Sequence, residues 1–308
     1  MIRTRLLSET DHFPHLKARV DALSLADQMP HILLETRRIT NIINGGLHGR
    51  RQAGTGEDFW QFRPFANGEP ASRIDWRRSA RDDRLYVRER EWQARHTFWM
   101  WFDRSRSMRF SSSLAQTSKI ERALVLGLAL AHILATNGEC VGYLGSSSAR
   151  SSRTIIEFLA EQILMDKEGQ ERDLPPDCTI PARNELLLFG DFLSPLDQLN
   201  DMIEKASAYH VRGHVVLIID PVEETFPFQG QTILREPETH TSLRIGDAAN
   251  WRSLYQERIL LHRQSFSEIL KAKGWTLTLH HTDCSASETA LHVLSLLSAA
   301  HRPAAYEV

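Results

Sequence analysis

The stretch WFDRSRSM, residues 101–108, places oxygen-bearing side chains two apart where an apolar run stops. Asp103, Ser105 and Ser107 offer one carboxylate and two hydroxyls, with Arg104 and Arg106 between them. In a tight loop these three converge on one point. They are hard oxygen donors, suited to Mg²⁺ or Mn²⁺ rather than to zinc. A second carboxylate, Asp191, ends the run LLLFGD. Two hydroxyls and two carboxylates leave a divalent cation short of negative charge, so it favours an acidic side chain of another molecule as its next ligand. That chemistry is adhesive more than hydrolytic. The competing reading is local: Asp and Ser often cap a turn or helix through side chain–backbone bonds.

Other chemistries fit less well. A phosphohydrolase of the haloacid-dehalogenase type also places an aspartate after its first strand, but it requires D-x-D, the second carboxylate acting as general acid and base. Here Ser105 stands at that position, and Pro195 takes the place of the last aspartate in the later GDxxxD-like element. GGLHGRRQAGTG has glycines, yet no GxxxxGK[ST] opens a helix. The GxSxG of serine hydrolases is absent. His280, His281, Asp283 and Cys284 suggest a second metal site on paper, but adjacent residues on a strand point to opposite faces. The expectation is a protein that is not an enzyme.

The elements that must position these residues follow a regular order after Thr97. Four apolar runs end in aspartate: FWMWFD (98–103), LLLFGD (186–191), VVLIID (215–220) and TLTLHHTD (276–283). A fifth, CVGYLGSSS (140–148), ends in serines, and Asp220 before Pro221 marks a turn. Helical stretches separate them, IERALVLGLALAHILATNG stopping at Gly138. Apolar strands alternating with helices indicate a parallel sheet covered on both faces. Right-handed crossovers make it an α/β, doubly wound, Rossmann-type sandwich. Ligands of such a sheet bind beyond the carboxyl ends of its strands, where Asp103 and Asp191 emerge. Residues 16–44 have helical spacing interrupted by Pro30 and closed by Gly45 and Gly46, which predicts two short helices. Three segments result: 1–46, helical; 47–95, rich in Arg, Gly and aromatic residues; and 96–308, the α/β domain.

Bulk properties exclude several classes. A formal net charge of −2 over 308 residues argues against a dedicated nucleic-acid binder. The three cysteines, Cys140, Cys178 and Cys284, form no CxxC pair and indicate a reducing, cytoplasmic setting. The longest apolar run, residues 123–135, is about 7 short of the ~20 a bilayer requires, so no membrane span is expected.

DRSRS after a hydrophobic strand resembles the metal-ion-dependent adhesion site of von Willebrand factor A domains, over roughly residues 96–300. The resemblance implies further ligands: Asp191, and a threonine before an intervening helix, with Thr154 in SSRTIIEF the first candidate and Thr179 the alternative. A longer match covers the whole chain. GTGEDFWQFRPFANGEPASRIDWRRSARDDRLYVRERE resembles the signature of the DUF58 family, as does DPVEETFPFQG at 220–230. Asp58, Phe65 and Glu69 are mild departures from it. The family implies no defining catalytic activity. It implies a role as adaptor or assembly partner beside MoxR-type AAA+ ATPases and other A-domain proteins.

The arginine-rich segment has eleven arginines against eight acids over residues 50–95, a net of +3. One reading is an internal network of paired charges. A second is a surface that docks an acidic partner, for which Arg73, Asp75, Trp76, Arg77, Arg81 and Arg88 are the candidates, and the least favoured is phosphate contact with nucleic acid.

Overall fold

The computed structural model describes residues 7–9, 25–48, 59–66, 69–81, 84–90, 96–177, 180–182, 184–235 and 241–300. The chain forms two compact units, one of residues 50–95 and one of residues 1–49 with 96–308.

The larger unit begins with β1 (Leu7–Glu9) and α1 (Leu25–His48). Where two short helices were expected, one helix runs through Pro30 and on past Gly45. Pro30 is the sixth residue of the helix, so one backbone bond, to the Ala26 carbonyl, is forgone. Met29, Ile32, Thr36, Ile39, Thr40 and Ile43 make a buried stripe along the helix. Packing of that stripe, more than propensity, sets its length.

The smaller unit pairs β2 (Phe59–Pro64) antiparallel with β3 (Tyr86–Arg90), and α2 (Trp76–Ser79) lies between them in sequence. Asp75 caps α2 by accepting from the Arg78 amide, 2.9 Å away. The Arg78 guanidinium lies 4.7 Å from the Tyr86 ring centre, and Arg63 pairs with Glu69. Ile74, Ser79 and Val87 are its buried residues among those described.

The remaining elements belong to the larger unit. In chain order they are β4 (Thr97–Phe102), α3 (Lys119–Thr136), β5 (Cys140–Tyr143), β6 (Ala149–Arg150), α4 (Ile155–Met165), β7 (Glu185–Gly190) and α5 (Leu196–Ala208). There follow β8 (Arg212–Ile219), α6 (Pro221–Thr225), β9 (Thr232–Arg235), β10 (Ser242–Ile245), α7 (Arg252–Ala272), β11 (Thr276–His281) and α8 (Ala286–Ala300).

All five apolar runs become strands of one six-stranded sheet in the order β11-β8-β7-β4-β5-β6, parallel except for β6. Alternate residues feed two cores. Phe98, Met100 and Phe102 of β4 pack with α1, α3, α4 and α8, while Trp101 faces α5 and α7 across the sheet. A three-stranded antiparallel sheet, β1-β9-β10, stands apart from the main one. A third core of Phe226, Phe228, Leu234 and Tyr255 links the β9–β10 hairpin to α7. Among the described residues, no helix is long and apolar enough to cross a membrane.

His280 of β11 is 1% exposed, its Nδ1 lying 2.7 Å from Thr289 Oγ1 of α8, whereas His281 points the other way to Glu224. The two histidines therefore have separate partners. Burial, with Arg122 and His281 adding to it, holds the His280 imidazole down to about 3. The unfolded chain takes up a proton near pH 6.5 that the folded chain refuses until far lower pH. Stability should therefore fall as pH is lowered from 6.5 towards 3, with a slope from this residue of up to ~1.4 kcal/mol per pH unit. Urea unfolding of wild type and His280→Gln between pH 7 and 4 checks this, the variant giving the flatter profile.

Candidate functional site

The site forms at the carboxyl ends of β4, β7 and β8. Phe102 pairs with Phe189 across β4 and β7, and the Asp103 amide extends the ladder by donating to the Phe189 carbonyl at 2.8 Å. Asp103 thereby faces Gly190, where an added Cβ would stand 2.9 Å from the Asp103 Cβ. Glycine at 190 is what lets the two strand ends approach.

Asp191 follows, and then Phe192 takes a left-handed backbone (φ 45°) that a bulky residue rarely adopts. The strain is held by burial of Phe192 between Trp101 and Phe266, and by His262, whose Nε2 lies 2.9 Å from the Phe192 carbonyl. This turn aims Asp191 at the β4 loop.

Asp103, Ser105, Ser107 and Asp191 are all buried. Asp103 Oδ1 accepts from the Ser105 amide at 2.9 Å. Ser105 Oγ and Ser107 Oγ are 3.1 Å apart, and Ser107 Oγ donates to Asp191 Oδ2 at 2.7 Å. Adjacent ligands around an octahedral Mg²⁺ with bonds of 2.0–2.1 Å stand about 3 Å apart. The donors suit a hard divalent cation in type, and the two measured spacings, which are also ordinary hydrogen-bond lengths, are compatible with neighbouring ligands of one. Among the described residues, no group of three or more His, Cys, Asp and Glu could hold a metal, so any ion here depends on the serine hydroxyls. The Asp103–Ser105 bond is the local kind that the capping reading describes, while Ser107 also reaches across to Asp191.

Two residues that the sequence reading passed over complete the cluster. Lys119, the first residue of α3, is fully buried and donates to Asp191 Oδ2 at 3.1 Å and to Glu223 Oε1 at 2.6 Å. Burial alone would lower its pKa, but Glu223 and Asp191 more than reverse this and hold the ammonium charged. The Glu223 carboxyl is pushed above its usual range, first by burial and then by Asp191, with Lys119 opposing. Asp220 does start a turn: it caps α6 in a capping box with Glu223, whose Oε2 accepts from the Asp220 amide at 3.0 Å. Nothing local in the sequence signals the burial of Lys119, which follows the N-cap Ser118 and precedes the charged Glu121 and Arg122.

Thr154 is not brought to this cluster. The strand β6 runs antiparallel to β5 and returns the chain to the opposite end of the sheet, where Ser151 bonds the Ala135 carbonyl near the end of α3. There Thr154 is exposed, 3.0 Å from Ser152 Oγ. The helix α4 then climbs back, about 16 Å over 11 residues. Thr179 lies outside the described residues. Of the docking candidates, Trp76, Arg77 and Arg81 are exposed and Asp75 is half-buried at its cap; the side chains of Arg73 and Arg88 lie outside those described.

The two arginines of the loop differ. Arg106 is half-buried, and Arg104 turns away from the serines into the interior. Arg104 donates to the carbonyls of Ile163 and Asp166, to Asp166 Oδ2 at 2.6 Å and to Tyr143 Oη at 3.2 Å. The last carbonyls of a helix lack intrahelical partners and attract cations, so Arg104 closes the C-terminus of α4. Burial would raise the Asp166 carboxyl, but bonds from Tyr143 and the Gly169 amide, with Arg104 beside them, hold it below its usual range.

A family model described as "Protein of unknown function DUF58" matches residues 61–265, which spans both units. The chain belongs to the DUF58 family. No sequence among the curated proteins matches it. Among solved structures, it is similar to the conserved hypothetical protein BatB from Bacteroides thetaiotaomicron at 14% identity. That match covers 68% of this chain and 100% of the other, with a TM-score of 0.36, too slight a likeness to define the fold.

Replacing Arg104 by Met should leave the α4 carbonyls and Asp166 without their cation. Breaking a buried pair costs roughly 3–5 kcal/mol, and the partly open Asp166 places this case at the lower end. Urea unfolding of Arg104→Met reads the loss directly, and faster exchange of the Ser105 amide should accompany it. An unchanged midpoint would show that water replaces the guanidinium at no cost.

Proposed function

We propose that this DUF58 protein is a non-enzymatic, metal-dependent protein–protein interaction module, acting in the cytoplasm as adaptor or assembly partner of a MoxR-type AAA+ ATPase. The larger unit is read as a von Willebrand factor A-like, doubly wound sandwich. The order β8-β7-β4-β5, with the first strand of the domain in the middle, supports that reading. The observation that carries the functional reading is the convergence of Ser105, Ser107 and Asp191 through contacts of 3.1 and 2.7 Å, with Asp103 bonded into the same loop.

Asp103, Ser105, Ser107 and Asp191 would hold Mg²⁺ or Mn²⁺. The bound ion would supply an electrophilic position for an acidic side chain of the partner. The chain's own residues supply little for catalysis. Ser105 stands where a phosphohydrolase would place a second carboxylate, and the Asp191 carboxylate is already engaged by Ser107 and Lys119. Exposed Trp76, Arg77 and Arg81 offer the acidic partner an aromatic anchor with cationic neighbours, the composition that dominates binding energy at interfaces. A second reading, a scaffold of the same fold without metal, is favoured by one observation: the Lys119 ammonium already neutralises part of Asp191.

Calorimetric titration of Mg²⁺ and Mn²⁺ into wild type and Asp103→Ala separates the two readings. Wild type should bind, and the variant should bind at least roughly tenfold more weakly, since even residues beyond the first ligands cost that much. Circular dichroism of the variant should stay native, and a chelator should release captured partner from wild type. Equal heats from the two proteins would leave only the metal-free scaffold.

A further inference from the structure

We propose that Lys119 is a resident cation that competes with the divalent ion for Asp191, so that loading of the site requires this one side chain to withdraw onto Glu223. This deepens the metal-dependent reading above and rests on it. Three features of Lys119 carry the proposal.

The first is its position. A lysine at the start of an 18-residue helix stands at the positive end of the helix dipole, the wrong end for a cation. It is also fully buried, the most costly state for an ammonium. Neither choice serves α3 itself, whose start is already capped by Ser118 Oγ accepting from the Glu121 amide. What holds Lys119 there is the pair of carboxylates.

The second is the atom it contacts. Asp191 Oδ2 accepts both the Ser107 hydroxyl at 2.7 Å and the ammonium at 3.1 Å. An ion ligated by Ser107 and Asp191 would share this oxygen with Lys119. Two like charges on one oxygen in a dry site repel strongly. The ammonium therefore acts as a stand-in for the ion on the same carboxylate, and one must yield.

The third is that a retreat is already built. Glu223 Oε1 holds the ammonium more closely, at 2.6 Å, and Glu223 is itself fixed by the capping box of α6. When the ion takes Asp191, Lys119 keeps a full counter-charge without leaving the interior. The exchange would pull on Glu223 and so reach α6 and the next residue, Glu224, which binds Arg263 and His281. Metal loading would in this way be felt beyond β8, on a surface the ion does not touch.

The test compares the full-length wild type with Lys119→Met/Glu223→Gln, which removes one positive and one negative charge together and so leaves the charge balance of the site unchanged. Mn²⁺ binding is followed by electron paramagnetic resonance, and thermal melting is recorded with and without Mg²⁺. The double variant should bind Mn²⁺ at least tenfold more tightly and gain more melting temperature from Mg²⁺ than wild type does. Equal, measurable affinity in the two proteins, or weaker binding by the variant, would overturn the competition while leaving the metal reading intact. Absence of Mn²⁺ binding in both would overturn the metal reading itself. Should the variant be unfolded without metal, refolding on addition of Mn²⁺ supports the proposal and failure to refold overturns it.

Discussion

One ammonium ties three strand ends together. Lys119 stands at the head of the helix that follows β4, Asp191 follows β7 and Glu223 lies just beyond β8. Backbone ladders align these strands but stop at their last residues. Beyond them, the loops need side chains to fix their relative positions. Hydrophobic contacts would do this without direction. An ion pair in a dry interior does it with direction, because breaking it leaves an uncompensated buried charge. The geometry of Ser107, hydrogen-bonded to the same Asp191 oxygen, inherits its precision from that pair.

Arg104 supplies the complementary tie on the other side of the loop. Asp103 and Arg104 are neighbours in sequence and both buried, yet they face different partners: the carboxylate turns to the Ser105 amide and the guanidinium to the end of α4. Successive residues leaving a strand point to opposite faces. The loop is thus clamped from both faces, by a cation of its own on one and by the cluster it feeds on the other. A loop held in this way keeps its hydroxyls in register without a ligand, which is the condition for a site whose occupancy is decided by charge and not by folding of the loop.

The central strands were legible in the sequence because β4, β7 and β8 are apolar on both faces and run into an aspartate, the pattern of a covered parallel sheet. FWMWFD and LLLFGD showed where Asp103 and Asp191 would emerge for the same reason. Three things were not legible. The length of α1 was hidden by Pro30, because tertiary packing of Met29, Ile32, Ile39 and Ile43 outweighs a local breaker. The location of Thr154 depended on β6 reversing direction, and a two-residue strand has too few side chains to show a period. Lys119 looked like an ordinary solvated charge at a helix start. Its burial depends on Asp191 and Glu223, which lie 72 and 104 residues further along, and no local pattern records such a pairing.

The charge balance of the cluster bears on what it does under the proposed reading. Asp103, Asp191 and Glu223 bring three carboxyl groups, and Lys119 brings one ammonium. Buried carboxylates are held ionised by a neighbouring cation. Burial pushes the Glu223 carboxyl up, and Lys119 beside it opposes that push. Under the proposed reading a divalent ion would be a further cation for the same residues, taking the place of the hydrogen bonds that now join Ser105 to Ser107 and Ser107 to Asp191. A cluster built only for stability would gain by losing one carboxylate and its lysine together, since an apolar pair of similar volume is often as stable as a buried ion pair or more so. Retaining both makes sense where the lysine has to let go of Asp191 while remaining neutralised, and Glu223 is the group that allows it to do so.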